Sequence, residues 1–113
     1  MTNEELAQFR THYQGCELIL FADLSTLTIL GSDSAIRLGQ EHLDALCDTA
    51  HAIFSRCTDV TRACICKPGG RRLFLRAHPG AVEVIAGVFD HQVDLGHASQ
   101  AAHEMLAGHG ALP

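Results

Sequence analysis

The chain has 113 residues, of which 47% are hydrophobic and 19% are charged, and its formal net charge at pH 7 is −5. A chain of this length and apolar content is expected to fold as a single domain over residues 1–113, and its negative charge argues against general nucleic-acid binding, which needs a basic surface. It has five cysteines, an odd number, with no signal-peptide pattern and no apolar run near the roughly 20 residues of a membrane span, so we expect a reduced, soluble protein of the cytoplasm.

The N-terminal segment TNEE has the form of a capping box, in which a hydroxyl and a carboxylate satisfy the first backbone N–H groups of a helix. Apolar residues follow at helical spacing, at Leu6, Phe9 and Tyr13. We therefore expect an amphipathic helix over 3–14, ended by Gly15.

Two short apolar segments come next, CELILFA at 16–22 and TLTILG at 26–31. Only three residues separate them, so they are expected to pair as a β-hairpin. The segment Ser32–Ser34 breaks the strand pattern and is typical of a helix start, and Gly39 is expected to interrupt that helix.

From Glu41 onward the chain shows its clearest periodicity, because apolar side chains recur along one helical face for four turns. This pattern predicts a long central helix with a continuous apolar stripe. The stripe consists of Leu43, Leu46, Cys47, Ala50, Ile53, Phe54 and Cys57.

Three further strands are predicted at 60–67, 71–77 and 81–89, where apolar segments are separated by turns that contain Pro and Gly. A last helix is capped by Asp94 and is followed by a tail at 109–113. The element order α-β-β-α-β-β-β-α with short connections predicts an α+β fold. In this fold a five-stranded antiparallel sheet carries helices on both faces.

The segment CICKPGGRRLFLR, residues 64–76, allows several chemical interpretations. A strand places the sulfurs of Cys64 and Cys66 on one face, roughly 6.5–7 Å apart, but the other cysteines are isolated and no zinc-type spacing occurs. The eight histidines form no HxxxH, HxH or HExxH pattern. A phosphate-binding loop needs a helix after its glycines, whereas a strand follows here. We predict no catalytic residue, no metal site and no cofactor, and a Cys/His metal or redox-sensing module stays open as an alternative.

Five of the eight basic residues lie between positions 62 and 76. In a net acidic chain they form a local positive patch. Such charges either protect a sheet edge from aggregation or provide a docking surface for an acidic partner, and both interpretations stay open. The candidate partner-binding residues are Lys67, Arg71, Arg72 and Arg76.

The whole pattern resembles the Roadblock (dynein light chain roadblock) family. ELILFADLSTLTILGSD is similar to the opening hairpin of the family, EHLDALCDTAHAIF to its long central helix, RRLFLRAHPGAVEVIAGVFD to its closing hairpin and DLGHASQAAHEML to its final helix. The resemblance covers nearly the full chain. One position departs from it, because Leu24 follows Asp23 where the family often has Gly, so we expect a first turn of different shape.

The resemblance implies a Roadblock/profilin-like fold and a homodimer, or a dimer with a paralogous subunit, in which central helices pair and third strands join edge to edge. It further implies a non-enzymatic scaffold or regulator of a small Ras-like P-loop GTPase. Because of the net negative charge and the lack of a membrane-length apolar run, we expect neither nucleic acid nor membrane as a partner. A small-ligand sensor is a second alternative. For the dimer that the Roadblock resemblance implies, we expect an interface that consists of Leu43, Leu46, Cys47, Ala50, Ile53, Phe54, Cys57, Ala63, Cys64, Ile65 and Cys66.

Overall fold

A computed structural model describes residues 1–36 and 39–109 of the chain. Within these ranges it contains three helices and five strands. The helices are α1 (Asn3–His12), α2 (Gln40–Arg56) and α3 (Leu95–His109), and the strands are β1 (Cys16–Asp23), β2 (Thr28–Ser34), β3 (Arg62–Lys67), β4 (Gly70–Arg76) and β5 (Glu83–Phe89).

The five strands form one antiparallel sheet in the order β2-β1-β5-β4-β3. One face of the sheet packs against the apolar sides of α1 and α3, and the other face packs against α2. The predicted α+β fold, with its element order and with helices on both faces, is confirmed. The strand order leaves β2 and β3 as the two edge strands.

The first helix begins at the predicted capping box. The Thr2 hydroxyl accepts a hydrogen bond from the backbone N–H of Glu5 at 3.1 Å, and the Glu5 carboxylate accepts one from the backbone N–H of Thr2 at 3.2 Å. Leu6 and Phe9 are buried against the sheet. The helix ends at His12, slightly earlier than predicted. It is thus fixed at its start and along one face.

Strand β2 lies further along the chain than the sequence predicts. It includes residues 32–34, so the prediction that this segment leaves the sheet and starts a helix is wrong. Ser32 pairs with Leu20 of β1, and helix α1 contacts the same stretch of β2. Polar residues are poor strand formers on their own, and here pairing and side-chain contacts from α1 decide the conformation.

The turn between β1 and β2 is held by side-chain and backbone hydrogen bonds. A carboxylate oxygen of Asp23 accepts the backbone N–H of Ser25 at 2.8 Å. Leu24 is buried, and its N–H donates to the carbonyl oxygen of Val82 at 2.8 Å. Leu27 adopts a positive φ of 54°. The residue that departs from the family pattern therefore contributes an apolar side chain to the core.

Helix α2 agrees closely with the predicted periodicity. Its N-cap is Gly39, which starts this helix. Residues 37 and 38, where an earlier helix was predicted to run, lie outside the described ranges. At the other end the backbone N–H of Cys57 donates to the carbonyl oxygen of Ile53 at 2.9 Å.

The last three strands lie where the sequence predicts, apart from small differences at their ends. Strands β3 and β4 are joined by the two residues Pro68 and Gly69. Gly70 follows with φ +148°, and a Cβ atom at this position would lie 2.8 Å from the carbonyl oxygen of Phe89. A glycine is therefore required at the start of β4.

Helix α3 begins after the predicted cap. A carboxylate oxygen of Asp94 accepts the backbone N–H of His97 at 3.1 Å. The helix continues through His109, so it extends beyond its predicted end. The rest of the predicted tail, 110–113, lies outside the described ranges.

Candidate interaction surface

Helix α1 covers part of the outer edge of β2. The side-chain oxygen of Asn3 accepts the backbone N–H of Ser32 at 3.0 Å. Beside it, Arg10 Nε lies 2.6 Å from a carboxylate oxygen of Asp33 in an ion pair. Because an edge with unpaired N–H groups invites pairing by another chain, these contacts protect this side of the sheet.

The outer edge of β3 has no such cover. The backbone N–H of Arg76 donates to the carbonyl oxygen of Thr61 at 2.9 Å. This bond shows that the backbone groups of Thr61 point toward β4, and it thereby sets the direction of the backbone groups along the rest of β3. In an antiparallel ladder the direction of the backbone groups alternates. The N–H and C=O groups of Arg62, Cys64 and Cys66 therefore point away from β4, and no hydrogen bond to them occurs within residues 1–36 and 39–109.

The side chains of β3 alternate between the two faces of the sheet. Ala63 and Ile65 are half-buried in the cluster beneath α2, whereas Cys64 and Cys66 are exposed on the opposite face. The two sulfurs lie 4.0 Å apart, closer than the strand spacing alone predicts, because the side chains lean toward each other. Partial burial, with a smaller contribution from the Cys66 thiol, raises the pKa of Cys64.

The apolar stripe of α2, predicted to meet a partner, packs mainly on the sheet of its own chain. Four of its members are buried in that cluster, namely Leu46, Cys47, Ala50 and Phe54. Leu43 and Ile53 are half-buried against the same cluster, and Cys57 is exposed. An amphipathic helix that lies over a sheet buries its apolar face against that sheet. The periodicity therefore identifies which face of α2 is buried, but not whether its own sheet or a second subunit covers it. Only the last three keep surface for a second molecule.

A different side of α2 faces β3 across a groove. Ala45 and Thr49, one turn apart on the helix, line this groove together with Ile65 of β3. Ala45 is exposed and Thr49 is half-buried. The small side chains leave room beside the edge strand for another element.

Arg76 is held inside the molecule, although the sequence placed it among the partner-binding candidates. Arg76 is only 4% exposed, and its Nε donates to the carbonyl oxygen of Val60 at 2.8 Å. Nη2 donates to the carbonyl oxygens of Thr58 at 2.9 Å and Cys57 at 3.2 Å, and the guanidinium lies 4.4 Å from the Phe54 ring centroid. This arginine therefore ties the end of α2 to β4.

Arg71 has a similar internal role at the other end of β4. Its Nη2 atom donates to the carbonyl oxygens of Asp90 at 2.6 Å and Val93 at 2.7 Å. These bonds hold the β5–α3 connection. A signal for Arg76 existed in the sequence, because period-2 alternation places it on the same face as the core residue Phe74.

Lys67 and Arg72 are the two candidate cations that remain available. They line the groove between α2 and the sheet, a cavity of about 420 Å³ whose floor includes Leu18, Leu46 and Val88. Among the residues that the structure describes, neither cation has an ion pair or a side-chain hydrogen bond. The groove thus combines an apolar floor with free positive charge at its rim.

The described part of the chain contains no group of three His, Cys, Asp or Glu side chains arranged to hold a metal ion. No helix within the described ranges has the length and apolar character that a membrane crossing requires.

Comparisons with known proteins give a likeness in fold alone. No protein-family model matches the chain, and no curated protein matches its sequence. A Roadblock/LC7 domain from Streptomyces avermitilis superposes with a TM-score of 0.79 at 9% identity, covering 94% of this chain and 92% of that one. Myxococcus xanthus MglB gives 0.69 at 12% identity over 94% of each chain, and the gliding protein MglB of Thermus thermophilus gives 0.65 at 16% identity over 93% and 87%.

Proposed function

We propose that this chain, which has the Roadblock/LC7 fold, is a non-enzymatic interaction module that self-associates through β3. We further propose that it serves as a scaffold or regulator of a small Ras-like GTPase, the role implied by the Roadblock resemblance. A fold shared with Roadblock/LC7 domains and with MglB proteins supports the first part. A further solved structure with this fold is of MglB in a tetrameric arrangement, which concerns that protein and agrees with a module that assembles.

The difference between the two sheet edges carries this proposal. Helix α1 caps the outward N–H of Ser32 in β2, whereas the outward N–H and C=O groups of β3 have no partner within the described residues. Antiparallel pairing with the β3 of a second copy, or of a paralogous subunit, satisfies these groups and joins two sheets into one. The exposed edge thus favours a second β-strand as its occupant.

The side of α2 that borders the groove is the natural extension of this interface. A strand edge alone buries far less than the ~800 Å² per partner of a typical stable interface. The small residues Ala45 and Thr49 allow close approach of a second helix, and Leu43, Ile53 and Cys57 keep exposed atoms. These residues complete the proposed surface.

Light scattering tests the self-association. We expect a mass near twice 12.2 kDa for the wild-type chain at micromolar concentration. Replacing Cys64→Pro removes an outward N–H and no bond to β4, so this variant should remain folded and become monomeric. Cys64→Ser keeps the N–H and should stay dimeric. A wild-type monomer, or a Cys64→Pro variant that remains dimeric, would contradict the proposal.

The GTPase part of the proposal assigns partner contact to Lys67 and Arg72. Both line the groove rim, and neither side chain bonds to another residue that the structure describes, so charge reversal should leave the fold intact. We expect the wild-type chain to retain a P-loop GTPase from native lysate in a nucleotide-dependent manner, and Lys67→Glu with Arg72→Glu to lose it. Ala107→Glu, which adds a negative charge on the exposed surface of α3 at the other face of the sheet, is the control. Retention of no GTPase by the wild type would contradict this part.

A small-ligand sensor is a second candidate, favoured by the groove itself. A cavity of about 420 Å³ with an apolar floor falls within the size range of ligand sites. An amphipathic anion that pairs with Arg72 is the expected ligand class. A thermal-shift screen with such compounds should raise the melting temperature of the wild type and not of Arg72→Met. Absence of any shift would remove this candidate.

A further inference from the structure

We propose that two copies of β3 pair in one specific register, with Cys64 on the two-fold axis and opposite its own counterpart. This inference rests on the proposed self-association and adds the geometry of the interface. It assigns opposed residues across an edge that the fold leaves open. It also makes the interface capable of a covalent link between the subunits.

The alternation along β3 restricts the possible registers. Only residues whose backbone groups point outward can exchange hydrogen bonds with a second strand, and these are Arg62, Cys64 and Cys66. In a two-fold antiparallel pair, the numbers of any two opposed residues add up to the same sum. Because the outward residues are all even-numbered, that sum is even, and the axis passes through a residue of the strand and not between two residues.

An axis at Cys64 is the register that uses the whole strand. It opposes Arg62 with Cys66, so all three outward residues find partners in both copies. An axis nearer either end leaves outward groups unpaired. An axis at Arg62 in addition places two guanidinium groups directly opposite each other, which is unfavourable in a cross-strand pair.

Charges beyond the strand agree with the same register. It places Lys67 of one copy opposite Thr61 of the other, two residues from the exposed Asp59. Lys67 has no ion pair among the described residues. A long lysine side chain at the end of one strand thus lies near an acidic residue before the start of the other, which favours association.

The register brings two thiols together on the exposed face. Residues opposed in a hydrogen-bonded antiparallel pair have Cα atoms roughly 5.5 Å apart, within the roughly 4.4–6.8 Å that a disulfide spans. The Cys64 side chain is exposed on the face opposite α2. A link between the two Cys64 residues is therefore geometrically allowed.

A small-molecule disulfide such as oxidised glutathione supplies the oxidation. The thiolate of one Cys64 attacks the glutathione disulfide, forms a mixed disulfide and releases one reduced glutathione. The thiolate of the second Cys64 then attacks the protein sulfur of that mixed disulfide and releases the second glutathione. Two protein thiols are oxidised, one glutathione disulfide is reduced, and the two released thiolates take up the two protons.

The test uses oxidised glutathione on the folded chain in a Cys57→Ser background, which removes the third exposed thiol. We expect a band at twice 12.2 kDa on a non-reducing gel, and the same band in the Cys66→Ser variant. Cys64→Ser should lose it. Adding Arg62→Cys to Cys64→Ser should restore it, since position 62 opposes Cys66, and replacing Cys66→Ser as well should abolish it again.

Several results would overturn the register. A band that requires Cys66 in the presence of Cys64 indicates a displaced axis, and an internal Cys64–Cys66 disulfide without any linked dimer indicates that the two Cys64 residues do not meet. Light scattering of the reduced protein distinguishes a failure of the proposed register from a failure of the proposed self-association. A non-covalent dimer that yields no band refutes the register alone, whereas a monomer refutes the self-association and the register with it.

Discussion

The side-chain oxygen of Asn3 accepts the backbone N–H of Ser32 at 3.0 Å. This contact joins the first turn of α1 to the outer edge of β2 and occupies a donor that another chain would otherwise meet. At the far side of the sheet, the corresponding donor of Cys64 has no acceptor within the described residues. The chain protects one edge and leaves the other open, and this asymmetry is the physical basis for expecting a single, defined mode of self-association.

Arg76 is expected to be far more costly to remove than Arg72. Arg76→Met deprives three carbonyl oxygens of a charged donor and should lower the free energy of unfolding by about 3 kcal/mol. Arg72 lies on the same strand face but forms no side-chain hydrogen bond or ion pair within residues 1–36 and 39–109, so Arg72→Met should stay within about 0.5 kcal/mol of wild type. Urea unfolding measures both. Equal effects of the two substitutions would show that the carbonyl contacts do not stabilise the fold.

Two adjacent glycines in the β3–β4 connection should differ in their tolerance of a side chain. Gly70→Ala places a Cβ atom 2.8 Å from the carbonyl oxygen of Phe89 at φ +148°, and should destabilise the fold by about 1–3 kcal/mol. Gly69→Ala meets nothing within 4 Å and should be close to neutral. Thermal unfolding of the two variants is the measurement. A larger loss of stability in Gly69→Ala than in Gly70→Ala would contradict the close approach of Gly70 to Phe89.

The five thiols should divide into two classes of reactivity. Burial raises the pKa of Cys16 to about 12 and also raises that of Cys47, so both should remain protonated and protected from alkylation at pH 8. Cys57, Cys64 and Cys66 are exposed and should react in the folded protein. Mass spectrometry after a short iodoacetamide pulse, with and without urea, identifies each class. Rapid labelling of Cys16 without urea would contradict the described core.

The first turn should make stability depend on acid. The hydroxyl and the N–H of Ser25 donate to Asp23 and lower the pKa of this carboxyl below its ordinary value of 3.8. Because the folded pKa is depressed, the stabilisation is fully present above pH 3.8 and is lost as the pH falls through the folded pKa.

The comparison of Ser25→Ala with wild type isolates this effect. The melting temperature of Ser25→Ala should be slightly lower than that of wild type at pH 7, and this difference in melting temperature should shrink toward zero well below pH 3.8. Thr28→Ala, which removes a hydroxyl with no carboxylate partner, should show a difference that does not change with pH. A Ser25→Ala difference that grows at low pH would reverse the assigned sign.

Much of the fold was predictable because strong periodicity and turn chemistry act locally. Helix α2 is the clearest case, since its apolar stripe recurs for four turns. The end of β2 was not predictable, because Ser32 and its neighbours are extended only through pairing with β1 and contacts from α1. Such long-range contacts leave no local pattern in the sequence.

The candidate surface was predictable only in part, for a related reason. The pattern on α2 indicates which side chains are buried, but a sheet of the same chain and a second subunit give the same periodicity. The charge of Arg76 likewise suggested an exposed surface, whereas the free carbonyl oxygens that bind it become visible only when the end of α2 meets β4. The position of an arginine in the sequence does not indicate which distant carbonyl oxygens it binds in the folded chain.

Amide hydrogen exchange at individual residues of β3, followed as the protein is diluted, tests the central claim most directly. The N–H groups of Ala63 and Ile65 face β4 and should be protected at every concentration, which provides an internal control. The N–H of Cys64 faces outward and should be protected in the concentrated protein and lose that protection on dilution into the monomer. If the Cys64 amide exchanges freely under conditions where light scattering reports a dimer, the open edge of β3 is not the interface.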